Sequence, residues 1–290
     1  MKRILIATDL STRSDRALRR AVLLARETGA ALSLLHAIDD DQPPHMLDAQ
    51  VTASGDLLDR TAETIRDTDG VAADFTVAAG AAFETIARTA DEVGADMVVI
   101  GPHRRHFLDS FIGTTAERII RRSGVPVLLA NAVPSAAYRR ALVAVDFDDT
   151  SRAAISDLSR LDLLGGTDIT ALHVFDAPAI GMMQRAMESA DAIDHYVTGE
   201  KGQAETDMRL FLAQTGLSTV RPLLKPNRGS PSGVILDSAR EEGADLIVVG
   251  TNQRKGFERL LIGSVAQGVL VNADCDVLVV PVPGNSGVDP

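Results

Sequence analysis

Two stretches of the sequence open on a glycine, run through a basic loop and close on glycine followed by hydroxyl or small residues. The first runs from Gly101 through His103, Arg104, Arg105 and His106 to Gly113-Thr114-Thr115. The second runs from Gly250 through Gln253, Arg254 and Lys255 to Gly263-Ser264-Val265. Glycine has no Cβ, so its backbone can come close to a ligand. A helix opening at the second glycine would present unpaired N–H groups suited to phosphate oxygens. The chemistry these residue types can do is therefore the cradling of a phosphate or another small anion. A plainer reading stands beside it: Thr114-Thr115-Ala116-Glu117 and Ser264-Val265-Ala266-Gln267 both fit a capping box, which alone would account for Thr114 and Ser264.

The elements that must hold these loops come from a duplication. Ile4-Leu5-Ile6-Ala7-Thr8-Asp9 returns 137 positions on as Ala141-Leu142-Val143-Ala144-Val145-Asp146, and Leu34-Leu35-His36-Ala37 returns at the same offset as Ala171-Leu172-His173-Val174. Gly94 to Gly101 is matched by Gly243 to Gly250, and Val127-Leu128-Leu129 by Val277-Leu278-Val279. Within each copy short apolar runs alternate with segments of helical period, the pattern of βα units and a parallel sheet. The predicted fold is α/β: two tandem copies of a five-stranded parallel open sheet, strand order 3-2-1-4-5, helices on both faces, packed about a pseudo-twofold axis.

Strands are expected near 3–8, 31–37, 71–78, 96–101 and 125–131, and near 140–146, 167–174, 218–225, 245–250 and 276–282. Helices are expected from Ser14 to a stop at Gly29 and from Phe83 to Val93, while 39–50 and 176–187 are the least regular stretches. Domains are set at 1–135 and 138–284, with a disordered tail at 285–290. In an open parallel sheet of this order ligands lie beyond the strands' C-terminal ends, where the winding reverses between strands one and four. That places Asp9 and Asp146 beside the two glycine loops, although either could instead be a turn or cap residue.

Composition narrows the classes. A net charge of −11 argues against a general nucleic-acid or membrane-surface binder, since both polyanions would repel it. One cysteine, Cys275, excludes an internal disulfide and reads as a small residue ahead of a strand. The opening apolar run ends at Asp9, too soon for a signal peptide, and no apolar run reaches membrane-spanning length. The expected location is the cytoplasm. His36 and His173 read as hydrogen-bonded strand-end histidines, the pair His103 and His106 lacks the further ligands that zinc requires, and the expected metal set is none. Arg118, Arg121 and Arg122 read as a solvated helix face, and Met182, Met183 and Met187 as packed in a core. The chain has no nucleophile elbow, no P-loop and no dinucleotide fingerprint, so a binder is expected rather than an enzyme.

With these residues in view, the chain resembles the universal stress protein family in its tandem form, over essentially all of both copies. The resemblance implies a nucleotide of ATP type, with magnesium, held by a Gly-x2-Gly-x9-Gly-[Ser/Thr] loop. It also implies an Asp after strand one and main chain after strand two on the adenosine. In the second copy this maps onto Asp146, Val174, Gly250, Gln253, Gly263, Ser264 and Val265; in the first it maps onto Asp9, Ala37, Gly101, Arg104, Gly113, Thr114 and Thr115. Both copies lack the second glycine: Gln253 and Arg104 stand there, and the first loop is one residue short. Either side chain could fill the space or reach the phosphate itself. The expected function is non-catalytic stress signalling through a bound nucleotide or other small anion, with at most slow incidental ATP hydrolysis. The alternatives are a scaffold with degenerate sites, or a carrier of another small molecule in the second copy. The fifth strands, too apolar to lie bare, are expected to join the copies as an internal pseudo-dimer that could dimerise again.

Overall fold

The structure is a computed structural model and describes residues 1–102, 114–163, 165–215, 220–251 and 262–281. The first copy is β1 (Arg3–Ala7), α1 (Ser14–Thr28), β2 (Ala31–Ile38), α2 (Pro44–Thr64) running into a π turn at Ile65–Asp69, β3 (Ala73–Ala79), α3 (Ala82–Glu92), β4 (Met97–Ile100), α4 (Thr114–Arg122) and β5 (Val127–Leu129). The second is β6 (Arg140–Ala144), α5 (Asp149–Arg160), β7 (Asp168–Phe175), α6 (Ile180–Arg185), α7 (Ala190–Thr215), β8 (Arg221–Pro226), α8 (Pro231–Glu242), β9 (Leu246–Gly250), α9 (Ser264–Asn272) and β10 (Asp276–Val280).

All the strands form one ten-stranded sheet, ordered β3-β2-β1-β4-β5-β10-β9-β6-β7-β8. Each half is parallel, and the halves meet at β5 and β10, which run antiparallel with Leu128 opposite Leu278. Strands buried on both faces need apolar side chains pointing both ways. Ile4 and Ile6 accordingly enter the core on one face and Leu5 enters the core on the other. Both cores continue through the two copies.

Helix α1 stops where the sequence says it should: Gly29 adopts a left-handed φ of 72° and returns its N–H to the Ala25 carbonyl at 2.8 Å. Two expectations need correction. The stretch 39–50 is irregular only to Pro43, because Pro44 supplies a favourable first helical residue and α2 begins there. Met182 and Met187 lie on the surface, 61% and 92% exposed, rather than in a core. The tail 285–290 lies outside the described residues. Among the described residues no helix is long and apolar enough to cross a membrane.

The copies are tied by one buried polar cluster. The carboxylate of Asp276 on β10, fully buried, accepts from Arg20 Nε of α1 at 2.8 Å, from the Tyr138 hydroxyl at 2.7 Å and from the Ala132 amide at 2.8 Å. Arg20 also stacks over the Tyr138 ring at 4.1 Å. Near the pseudo-twofold Gln267 of α9 donates to Glu117 of α4 at 2.9 Å.

Candidate functional site

The candidate site lies at the C-terminal ends of β1 and β4, and again at β6 and β9, which are neighbours in the sheet. The turn leaving the first strand has the same backbone in both copies: Leu10 and Phe147, the residues after Asp9 and Asp146, take left-handed φ values of 58° and 56°. For a side chain larger than glycine this costs on the order of 1–2 kcal/mol. Each of these side chains packs on the core, which holds the turn. The histidines clamp the same turns. His36 Nδ1 donates to the Thr8 carbonyl at 2.8 Å and His173 Nδ1 to the Val145 carbonyl at 2.9 Å, the structural role the sequence suggests. His173 also stacks on Phe147 at 4.1 Å.

The acids differ between the copies. Asp9 accepts from the Ser11 amide at 3.0 Å and from the Ser11 hydroxyl, and lies 3.5 Å from Arg13. Burial alone would raise its pKa, but these bonds, a contribution from Ser14 and the Arg13 charge together carry it below the ordinary 3.8. In the second copy the position of Ser11 is taken by Asp148. That residue caps α5 through the Ser151 amide at 2.7 Å and has no proton to give Asp146. Among the described residues Asp146's carboxylate makes no hydrogen bond, and His173 Nδ1 lies 3.9 Å away. Its pKa is raised by desolvation first, with His173 opposing and the like charges of Asp148 and Asp176 adding to the rise.

The glycines at the strand ends serve the fold before any ligand. A Cβ on Gly250 would lie 2.3 Å from Thr150 Cγ2, and one on Gly101 would lie 3.1 Å from the Ser14 Cα. Their close approach is to the first turns of α5 and α1. The capping-box reading of Ser264 does not hold. Gly263 occupies the N-cap position of α9 and supplies no side-chain bond, Ser264 is already helical, and Gln267 turns away to Glu117. Among the described residues the first-turn amides of α9 are thus left without a side-chain cap. Val265 lies in that turn, and the pairing of Val143 with Val248 carries Asp146 to the level of Thr251, one residue past Gly250.

Val174 and Ala37 stand near the C-terminal ends of β7 and β2, opposite Lys225 and Ala78. Thr114 and Thr115 open α4, whose side chains are described from Ala116 onward. Arg104, Gly113 and Gln253, with His103 and His106, lie outside the described residues. Arg118 and Arg122 are exposed, as a solvated helix face requires, with their guanidinium groups 4.9 and 5.5 Å from the Phe83 ring, while Arg121 is half-buried.

A paired open parallel α/β sheet whose winding reverses between β1 and β4, and again between β6 and β9, defines the class of fold. Within that class the chain belongs to the universal stress protein family, whose sequence profile matches residues 1–131 and 137–281. It is 28% identical over 295 residues to a universal stress protein of Mycolicibacterium smegmatis, covering 96% of each chain. A universal stress protein of Methanocaldococcus jannaschii is 31% identical over 147 residues, half of this chain and 84% of that one. Among solved structures, a universal stress protein from Archaeoglobus fulgidus superposes with a TM-score of 0.73 at 20% identity, covering 96% of this chain and 98% of that one. A functionally unknown protein from Pseudomonas aeruginosa superposes at 0.68 and 21%, covering 98% and 94%. At these identities the structural likeness shows the shared fold.

Proposed function

We propose that the second copy binds a nucleotide of ATP type, with magnesium, or another small anion beyond β6 and β9. The bound state would be passed on through conformation or partners rather than by catalysis. The observation that supports this is a carboxylate at Asp146 that makes no hydrogen bond among the described residues, in the copy whose helix α9 has among those residues no side-chain cap. Asp146 and the main chain at Val174 would take the sugar and base. The phosphates would sit against Gly250, Gln253, Gly263, Ser264 and Val265, because Asp146, Asp148 and Asp176 make the other end of the crevice repulsive to anions. Hydrolysis would be slow and incidental. The first copy is the poorer site, since a ligand there must first break Asp9 away from Ser11 and Arg13. We assign that copy a scaffolding role.

Thermal melts with and without ATP and magnesium test this reading. Ligand at one hundred times its dissociation constant should stabilise the chain by about 2.7 kcal/mol. Asp146→Asn should remove that shift. It should also raise the melting temperature of the free protein at neutral pH, because a carboxyl whose folded pKa lies above 3.8 is costly to hold ionised in the folded state. Asp9→Asn should do the reverse in the free protein, since its stabilisation is present above pH 3.8 and lost on acidification, and should leave the ligand shift in place. A melting curve that millimolar ATP and magnesium leave unmoved would refute the nucleotide, and one that inorganic phosphate and sulfate also leave unmoved would refute the anion site.

A further inference from the structure

Among the described residues the ten-stranded sheet ends in two edges with no neighbouring strand, and they are not alike. On β8 the Asn227 amide bonds back to the Phe175 carbonyl, so 225, 223 and 221 face β7, while 222, 224 and 226 face outward. Pro222 and Pro226 occupy outward positions, where a missing N–H makes the edge unable to template another strand. On β3 the Gly80 amide bonds to Ile38 and the Ala72 carbonyl accepts from Leu32. Residues 74, 76 and 78 therefore face β2, while Ala73, Phe75, Val77 and Ala79 turn their N–H and C=O groups outward. Among the described residues the one hydrogen-bond partner of that outward row is Arg66, which donates to the Ala73 carbonyl at 2.6 Å. No proline interrupts the strand.

We propose that β3 is a docking edge for a second copy of this chain, its own β3 pairing antiparallel about a twofold axis through Thr76. That register sets Phe75 opposite Val77 and Ala73 opposite Ala79 as hydrogen-bonded pairs, each using groups that already point outward. On the other face Thr76 meets Thr76, and Asp74 meets Ala78 rather than a second acid. Asp74 is in any case bound to Arg3 at 2.7 Å. Aromatic with β-branched and threonine with threonine are favourable cross-strand neighbours, and no like charges are opposed. The molecule already joins its own halves this way, with β5 antiparallel to β10. A foreign strand of arbitrary sequence would not share this self-matching register. The net charge of −11 on each chain opposes the pairing at long range, so added salt should strengthen it.

Sedimentation of the full chain over a concentration series tests the proposal. A dimer is expected, tightening as salt rises. Thr76 is exposed, so Thr76→Lys and Thr76→Glu should each leave the fold intact while placing like charges face to face, weakening the dimer at least tenfold. An equimolar mixture of the two variants should restore it as a heterodimer. Val77→Pro, which removes an outward N–H that β2 does not use, should also give single chains. A wild-type chain that stays single up to hundreds of micromolar overturns the proposal, and so does a dimer indifferent to both Thr76 variants.

Discussion

The cluster of Arg20, Tyr138 and Asp276 should be the costliest place in the molecule to remove one polar partner. Arg20 and Asp276 have side chains 5% and 0% exposed, and one belongs to each copy. Their Coulomb attraction is not weakened by surrounding water, but neither are their desolvation costs, so losing one partner strands the other. Arg20→Met keeps much of the apolar stem and leaves Asp276 with two donors, Tyr138 and Ala132. It belongs near the lower end of the roughly 3–5 kcal/mol range for such losses. Asp276→Ala leaves the guanidinium, among the described residues, with the Ala136 carbonyl at 2.8 Å as its remaining hydrogen-bond acceptor and orphans the Tyr138 hydroxyl and the Ala132 amide, so it belongs near the upper end. The double variant Arg20→Met with Asp276→Val removes both charges and should cost clearly less than the sum. The chain has no tryptophan, so urea unfolding is best followed by far-UV circular dichroism. The cluster also sets an alkaline limit. Burial first, then the Asp276 charge, hold the Tyr138 pKa well above 10.0, so stability should fall as pH rises past 10 and Tyr138→Phe should flatten that fall. Strict additivity of the two single variants, or a cost below about 1 kcal/mol for Arg20→Met, would refute the reasoning, since exposed pairs behave that way.

Two further outcomes follow from local geometry. Gly250→Ala should destabilise by about 1–3 kcal/mol through overpacking, and Thr150→Ser should recover part of the loss by deleting the methyl that the new Cβ meets; Gly101→Ala should have no such rescue, because its neighbours are backbone atoms, and paired melting curves of the variants would show both. Cys275 lines a cavity of about 310 Å³, yet burial first and then the Asp276 charge push its thiol up to about 12, so at pH 8 it should react with iodoacetamide on the order of a thousandfold more slowly than an ordinary thiol, as timed mass spectrometry would record.

The architecture was legible because it was written twice. Matching landmarks such as Gly94-Ala95-Asp96 and Gly243-Ala244-Asp245 mark equivalent strand starts, and the structure shows why the acid belongs there. Asp96 accepts the amides of Lys2 and Arg3, while Asp245 accepts those of Arg139 and Arg140. The joint between the copies was legible from apolarity, since Val127-Leu128-Leu129 and Val277-Leu278-Val279 have no polar face to show to water. Cap chemistry was less legible. Ser264 and Gln267 have the capping spacing, but Gln267 finds a partner in the other copy, and no local pattern records a contact across 150 positions. The Arg20–Asp276 tie was missed for the same reason, although an acid opening the otherwise apolar strand Asp276–Val280 is a signal that a partner must exist.

The duplication separates what the fold requires from what the site has changed. Both copies keep the left-handed residue after the acid and the histidine on the preceding carbonyl, so these are demands of the turn itself. The crevices diverge at one neighbouring position. Serine at 11 gives its hydroxyl proton to Asp9 and ties that acid down, whereas aspartate at 148 can only accept and leaves Asp146 free. The tie between copies is equally one-sided, for the positions equivalent to Arg20 and Asp276 hold Asp157 and Pro126, which cannot form it. The two copies thus differ in side chains at matching positions: α1 of the first copy anchors β10 of the second, and the second keeps Asp146 outside any tie like that of Asp9 to Ser11.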